Sequence, residues 1–135
     1  MITAVDTNVL IDVLGADPQF GPASRSALRM SLNDGVVIAC DAVWAEVIAA
    51  FPDPVATEAA LSRFPVAFSG LSPSAAAKAG IAWRAYRQAG GSRERLVTDF
   101  LVGAHALEQA DRLLTRDRGF QRTAFAGLTI VDPSR

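Results

Sequence analysis

Ile2-Thr3-Ala4-Val5-Asp6-Thr7-Asn8-Val9-Leu10-Ile11-Asp12 opens the chain and decides how the rest of it is read. A short apolar run suited to a fully buried strand stops on a carboxylate, Asp6, and a second apolar run begins at once. Asn8 suits the N-cap of a helix carrying Val9, Leu10 and Val13. The pattern is strand, acid at the carboxyl end, helix, and in open α/β sheets that end is where ligands bind.

Outward from this stretch the same alternation continues. A Pro/Gly-punctuated loop from Gly15 to Pro22 leads to a helix expected over Ala23 to Leu32 and ended near Gly35. Val36 to Cys40 reads as the next strand, and Asp41 as the N-cap of a helix over Ala42 to Phe51 that Pro52 stops. Pro54 starts another helix running to Phe64, and Val66 to Phe68 is a further strand or an extended connector. Ser72 caps a long alanine-rich helix, Ala75 to Ala89, closed by Gly90 and Gly91. After a charged loop from Arg93 to Thr98, Asp99 to Ala110 is helical by its period, and Arg112 to Thr115 and Leu128 to Val131 are strands. Strands alternating with helices imply βαβ units: one α/β domain over 1–135, with a mainly parallel central sheet between two helical layers.

Composition narrows the classes of function. The chain has 135 residues, half of them hydrophobic, and no stretch long and apolar enough to cross a bilayer. No charged segment precedes an apolar one at Met1, so the expectation is a cytoplasmic protein with no membrane partner. The single Cys40 builds neither an internal disulfide nor a cysteine metal site. A net charge of -1 argues against a protein that coats nucleic acid by charge alone. Yet Lys78 is the only lysine, and the arginines crowd into the second half. The guanidinium fork suits phosphate oxygens.

Position selects four acids from the fourteen Asp and Glu. Asp6 ends one strand and Asp117 follows another by two residues, so both lie at one edge if the strands are parallel. A helix from Asp99 to Gln109 descends about 15 Å at 1.5 Å per residue. The strand from Asp111 to Asp117 climbs back roughly 20 Å at about 3.3 Å per residue, which returns Asp117 to the level of Asp99. Glu46 lies five residues beyond Asp41, and because helical side chains lean toward the N-terminus it reaches back to the same edge. Four carboxylates together repel, each like-charged pair costing on the order of 4 kcal/mol at about 4 Å and an effective dielectric near 20. Either some stay protonated or a divalent cation neutralises them. With His105 and Cys40 as the only soft candidates, oxygen ligands point to Mg2+ or Mn2+.

Val5-Asp6-Thr7-Asn8-Val9-Leu10-Ile11-Asp12, the isolated Glu46, Thr98-Asp99-Phe100-Leu101-Val102-Gly103-Ala104-His105-Ala106 and Leu114-Thr115-Arg116-Asp117-Arg118-Gly119-Phe120 resemble, in order, the motifs of PIN-domain ribonucleases, closest to the VapC-type toxins of toxin-antitoxin pairs. The resemblance spans nearly the whole chain. It implies a PIN-like three-layer α/β/α sandwich and a Mg2+-dependent endoribonuclease, with Mn2+ a possible substitute. Such a protein is commonly a homodimer and is neutralised by a small VapB-type antitoxin. Carried over by residue, the catalytic and metal-binding set is Asp6, Glu46, Asp99 and Asp117, with Asn8 and Thr115 in support. The reaction implied is attack of a metal-activated water on an RNA phosphodiester, with one or two ions, Glu46 or Asp99 orienting or deprotonating the water, and 5′-phosphate and 3′-hydroxyl products. A single histidine independently argues against cleavage by a histidine acid-base pair.

Arg93, Arg95, Arg116 and Arg118 stand beside Asp99 and Asp117 in sequence and are the candidates for holding RNA phosphates. Asp12 is expected to act structurally or behind the site, and His105 to pack. Ala75, Ala76, Ala79, Gly80 and Ala82 permit close approach at a dimer seam or in the core. Val55 to Phe68 is a candidate groove for an antitoxin helix. Two rivals remain. One is a PIN-fold RNA-binding or RNA-processing protein outside a toxin-antitoxin pair. The other, an Asp-based phosphoryl-transfer domain, calls for a second acid beside Asp6 or a lysine after a later strand, whereas Thr7 and Asn8 follow Asp6 and Lys78 falls inside a helix.

Overall fold

The computed structural model describes residues 1–91, 97–117 and 125–134. Along them the chain runs β1 (Ile2–Val5), α1 (Thr7–Leu14), α2 (Gly21–Asp34), β2 (Val36–Cys40), α3 (Asp41–Ala50), α4 (Pro54–Arg63), β3 (Ala67–Ser69), α5 (Pro73–Gln88), α6 (Val97–Gln109), β4 (Arg112–Leu114) and β5 (Ile130–Val131). The strands form one sheet in the order β3-β2-β1-β4-β5, and every neighbouring pair is parallel. A parallel sheet buried on both faces needs strands that are apolar throughout. That is why Ala4, Val5, Val37, Ala39, Leu113 and Leu114 are all buried. The helical layers close over them with Val9 and Leu10 of α1, Val43 and Val47 of α3, and Leu61 of α4, each fully buried. Each such leucine contributes about 2 kcal/mol.

The order of strands positions the site. From β1 the chain steps outward to β2 and β3, then returns through α5 and α6 to β4 on the opposite side of β1. The crevice between the carboxyl ends of β1 and β4 is therefore a topological switch point. Asp6 and Thr115 are the residues that directly follow those strands, and the Asp6 amide donates to the Leu114 carbonyl at 2.9 Å, tying the two ends together. At the other end of the sheet a Cβ on Gly35 would overlap the Met1 carbonyl, and the Val36 amide donates to that same oxygen. Glycine there lets α2 pass straight into β2 alongside β1.

Several boundaries differ from those expected. The N-cap of α1 is Asp6, not Asn8: the strand turns into the helix with no spacer, and the Asp6 carboxylate accepts from the Thr7 amide. Asn8 sits in the first turn, where its side chain is released for other contacts. Cys40 occupies the cap position of α3, with Asp41 in the first turn. The last helix begins at Val97, two residues before Asp99, which still falls in its first turn. Residues 67–69 do form a strand, paired with β2 at the sheet edge. The Ser72 cap is as expected, its hydroxyl accepting from the Ala75 amide.

On α5, Ala75 and Ala79 are fully buried, while Ala76 and Gly80 are exposed. The helix packs most extensively on α6, so the buried alanines serve the core. Within 55–68, Leu61 is core and Phe68 is exposed, its ring edge-on to Trp44 at 5.3 Å. No helix among the described residues is long and apolar enough to cross a membrane.

Candidate active site

Asp6 is 9% exposed at the end of β1. Its Oδ2 accepts the Thr115 hydroxyl at 2.7 Å and the Asn8 amide at 3.4 Å, and its Oδ1 accepts the Thr7 backbone N–H at 2.7 Å. The first turn of α1 thus curls around the carboxylate that precedes it, and β4 delivers a hydroxyl from the other side. Thr115 also receives the Asp117 backbone N–H at 3.0 Å and the Asn8 side-chain amide at 3.3 Å. Asn8 completes the arrangement by accepting the Arg116 backbone N–H at 3.2 Å. Two short segments, 6–8 and 115–117, are knitted into one unit.

Glu46 enters from α3. Its Oε1 accepts the Thr7 hydroxyl at 2.9 Å, so the reach back along the helix places it one residue from Asp6. Thr7 therefore anchors one acid through its amide and another through its hydroxyl. That role was not singled out from sequence; the only signal was a hydroxyl residue immediately after the strand-ending Asp.

The charges agree with this convergence. The Asp6 pKa is raised from 3.8 to about 6, chiefly by burial, against the hydrogen bonds from Thr115 and Thr7, which lower it. The charges of Asp99 and Asp117 raise it further, which brings both acids into the electrostatic neighbourhood of Asp6. Asp99 stands in the first turn of α6, where the partial positive charge of the helix end favours an anion. The donors are all carboxylate oxygens, which suit a hard divalent cation, and such a cation would relieve the part of the Asp6 shift that the charges of Asp99 and Asp117 add to burial. Among the described residues no three acidic, imidazole or thiol groups stand close enough to form a preformed cage.

Arg116, expected at RNA phosphates, is occupied elsewhere. Its Nε and Nη2 donate to the two oxygens of Asp12 at 2.7 and 2.9 Å, and the guanidinium lies 4.0 Å from the Phe20 ring centroid. Asp12 is buried and also accepts the Ser24 hydroxyl at 2.7 Å. Arg93, Arg95 and Arg118 lie outside the described residues. His105 is buried on α6 with Nε2 3.1 Å from the Ser69 hydroxyl; burial lowers its pKa, with the Asp41 charge and the Ser69 bond opposing. It ties α6 to β3. Burial also pushes the Cys40 thiol up, in keeping with a packed residue at the end of β2.

The PIN-domain family model matches residues 3–126. The chain belongs to the PIN-domain family. No curated protein matches it by sequence. Among solved structures, VapBC2 from Rickettsia felis bound to a DNA fragment from its promoter aligns with this PIN domain at a TM-score of 0.77 and 19% identity, covering 98% of each chain. DNA-bound VapBC from Salmonella typhimurium aligns at 0.76 and 20%, again over 98% of each chain. VapBC-1 from nontypeable Haemophilus influenzae aligns at 0.77 and 16% over 100% of each. At these identities the likeness is one of fold, and it extends over the whole PIN domain.

Proposed function

We propose that this PIN domain is a Mg2+-dependent endoribonuclease acting as a VapC-type toxin, with Mn2+ able to substitute. The observation that carries the reading is Asp6: a nearly buried carboxylate at the switch point, held by three donors and pressed by the charges of Asp99 and Asp117.

Asp6, Asp99 and Asp117, with Glu46 beside them, are the residues that would hold the cation. When bound, Mg2+ supplies charge neutralisation at the phosphate and makes water a stronger nucleophile near neutral pH. The protein's share is positional. Thr115 and the Thr7 amide keep Asp6 aimed and favour its ionised form. The Thr7 hydroxyl holds Oε1 of Glu46, and Glu46 or Asp99 would take the proton of the attacking water. Asn8 and Thr115 keep Asp117 in register with Asp6. As the water oxygen bonds to phosphorus the P–O3′ bond breaks in line and the 3′-oxygen takes a proton from solvent, which would give 5′-phosphate and 3′-hydroxyl ends. Arg93, Arg95 and Arg118, neighbours of Asp99 and Asp117 in sequence, are the candidates to contact RNA phosphates.

The relatives in fold are VapBC complexes, which supports a cognate VapB-type antitoxin as partner. Incubation of labelled RNA with the protein in Mg2+, Mn2+ or EDTA, beside an Asp6→Asn variant, tests the reading. Cleavage by the wild type in Mg2+ or Mn2+ but not in EDTA supports it, whereas cleavage in EDTA or by Asp6→Asn overturns it.

A further inference from the structure

We infer that Arg116 is a positioning residue, which sets the Asp117 turn against α1 by gripping Asp12. The inference rests on the nuclease reading above. Asn8 and Asp12 are four residues apart on α1 and so share one face of the helix. Arg116 lies along that face: its backbone N–H meets Asn8 at one end and its guanidinium meets Asp12 at the other. The residues on either side of it are Thr115, which donates to Asp6, and Asp117, whose amide returns to Thr115. The side chain of Arg116 therefore fixes the rotation of the segment that carries Asp117 relative to the helix that begins at Asp6.

The grip is built to be rigid. Both oxygens of Asp12 are engaged by a two-pronged fork, the Ser24 hydroxyl takes a second place on Oδ2, and Phe20 covers the guanidinium face. Asp12 is 3% exposed and Arg116 26%, so water competes little for the pair. Lysine carries the charge but not the planar fork, and cannot reproduce this hold. With Nε and Nη2 both committed to Asp12, Arg116 acts on the reaction through Asp117 and not by contact with RNA.

The test compares wild type, Arg116→Lys, Asp12→Asn and the double variant Asp12→Asn/Arg116→Gln, whose neutral amide pair keeps the fold where a single change would strand one charge. Three quantities are read: kcat and KM for RNA cleavage in Mg2+, Mn2+ affinity by electron paramagnetic resonance, and the salt slope of RNA binding in an Asp6→Asn background. Positioning predicts a fall in kcat of about ten- to a hundredfold in each variant. It also predicts a KM within about twofold, weaker Mn2+ binding, an unchanged salt slope, and a double variant no worse than the poorer single. A salt slope smaller by about one with kcat retained would make Arg116 a phosphate contact and overturn the inference. Full activity in Asp12→Asn would overturn it as well. A wild type that cuts no RNA in Mg2+ would instead remove the nuclease reading, a result distinct from either.

Discussion

Replacing Asp6 with Asn should make the metal-free protein more stable at pH 7 while abolishing its chemistry. Burial, with help from the charges of Asp99 and Asp117, raises the Asp6 pKa from 3.8 to about 6. A folded pKa above the unfolded one means that the folded chain holds the proton more tightly. The associated stability is complete below about pH 4 and is lost as the pH rises through about 6. Two pH units at about 1.4 kcal/mol each leave roughly 3 kcal/mol missing at pH 7. Asparagine removes that charge, but its amide nitrogen forces the Thr115 hydroxyl to turn from donor to acceptor, at a cost of about 1 kcal/mol. The net gain of about 2 kcal/mol corresponds to a Tm higher by about 4–8 °C for a chain of 135 residues. Calorimetry in EDTA at pH 4.5 and pH 7 reads this directly: the gain appears at pH 7 and vanishes at pH 4.5. Mg2+ then raises the Tm of the wild type at pH 7 and leaves Asp6→Asn unmoved. A lower Tm for Asp6→Asn at pH 7, or the same shift at both pH values, would refute the reasoning.

Thr7→Val keeps the shape and removes the hydroxyl that engages Glu46; cleavage of labelled RNA should fall about tenfold, with stability in urea changed by no more than about 1 kcal/mol. Asp12→Ala strands the partly buried Arg116 charge and the Ser24 hydroxyl, and urea unfolding should show a loss of about 3–5 kcal/mol. Leu113→Ala opens a cavity in the centre of the sheet, where the side chain is fully buried, and should cost about 2–5 kcal/mol by the same measurement.

The strands and the sheet edge that carries the acids were legible because a parallel sheet buried on both faces writes itself as short, wholly apolar runs ending on polar residues. Asp6, Asp41 and Thr115 each marked such an end, and the descent through α6 and return along β4 could be checked by length alone. Local capping was less legible. Asp6, not Asn8, caps α1, since the helix follows β1 with no spacer and starts at Thr7, two residues earlier than an Asn8 cap would place it. Arg116 could not be placed from its neighbours in sequence. Its partner Asp12 is far away in the chain, and an arginine beside an acidic cluster reads equally as a phosphate contact or as half of a buried pair. The doubled use of Thr7 was hidden for a similar reason, because which hydroxyl faces Glu46 depends on how α3 packs against α1.

The most direct measurement of the central claim, that the acids around Asp6 run a hydrolytic metal centre, is analysis of the ends of RNA cut by this protein in Mg2+. A metal-run hydrolysis predicts 5′-phosphate and 3′-hydroxyl ends, absent with EDTA or with Asp6→Asn. Ends carrying a 2′,3′-cyclic phosphate, or cuts that persist without divalent metal, would contradict it.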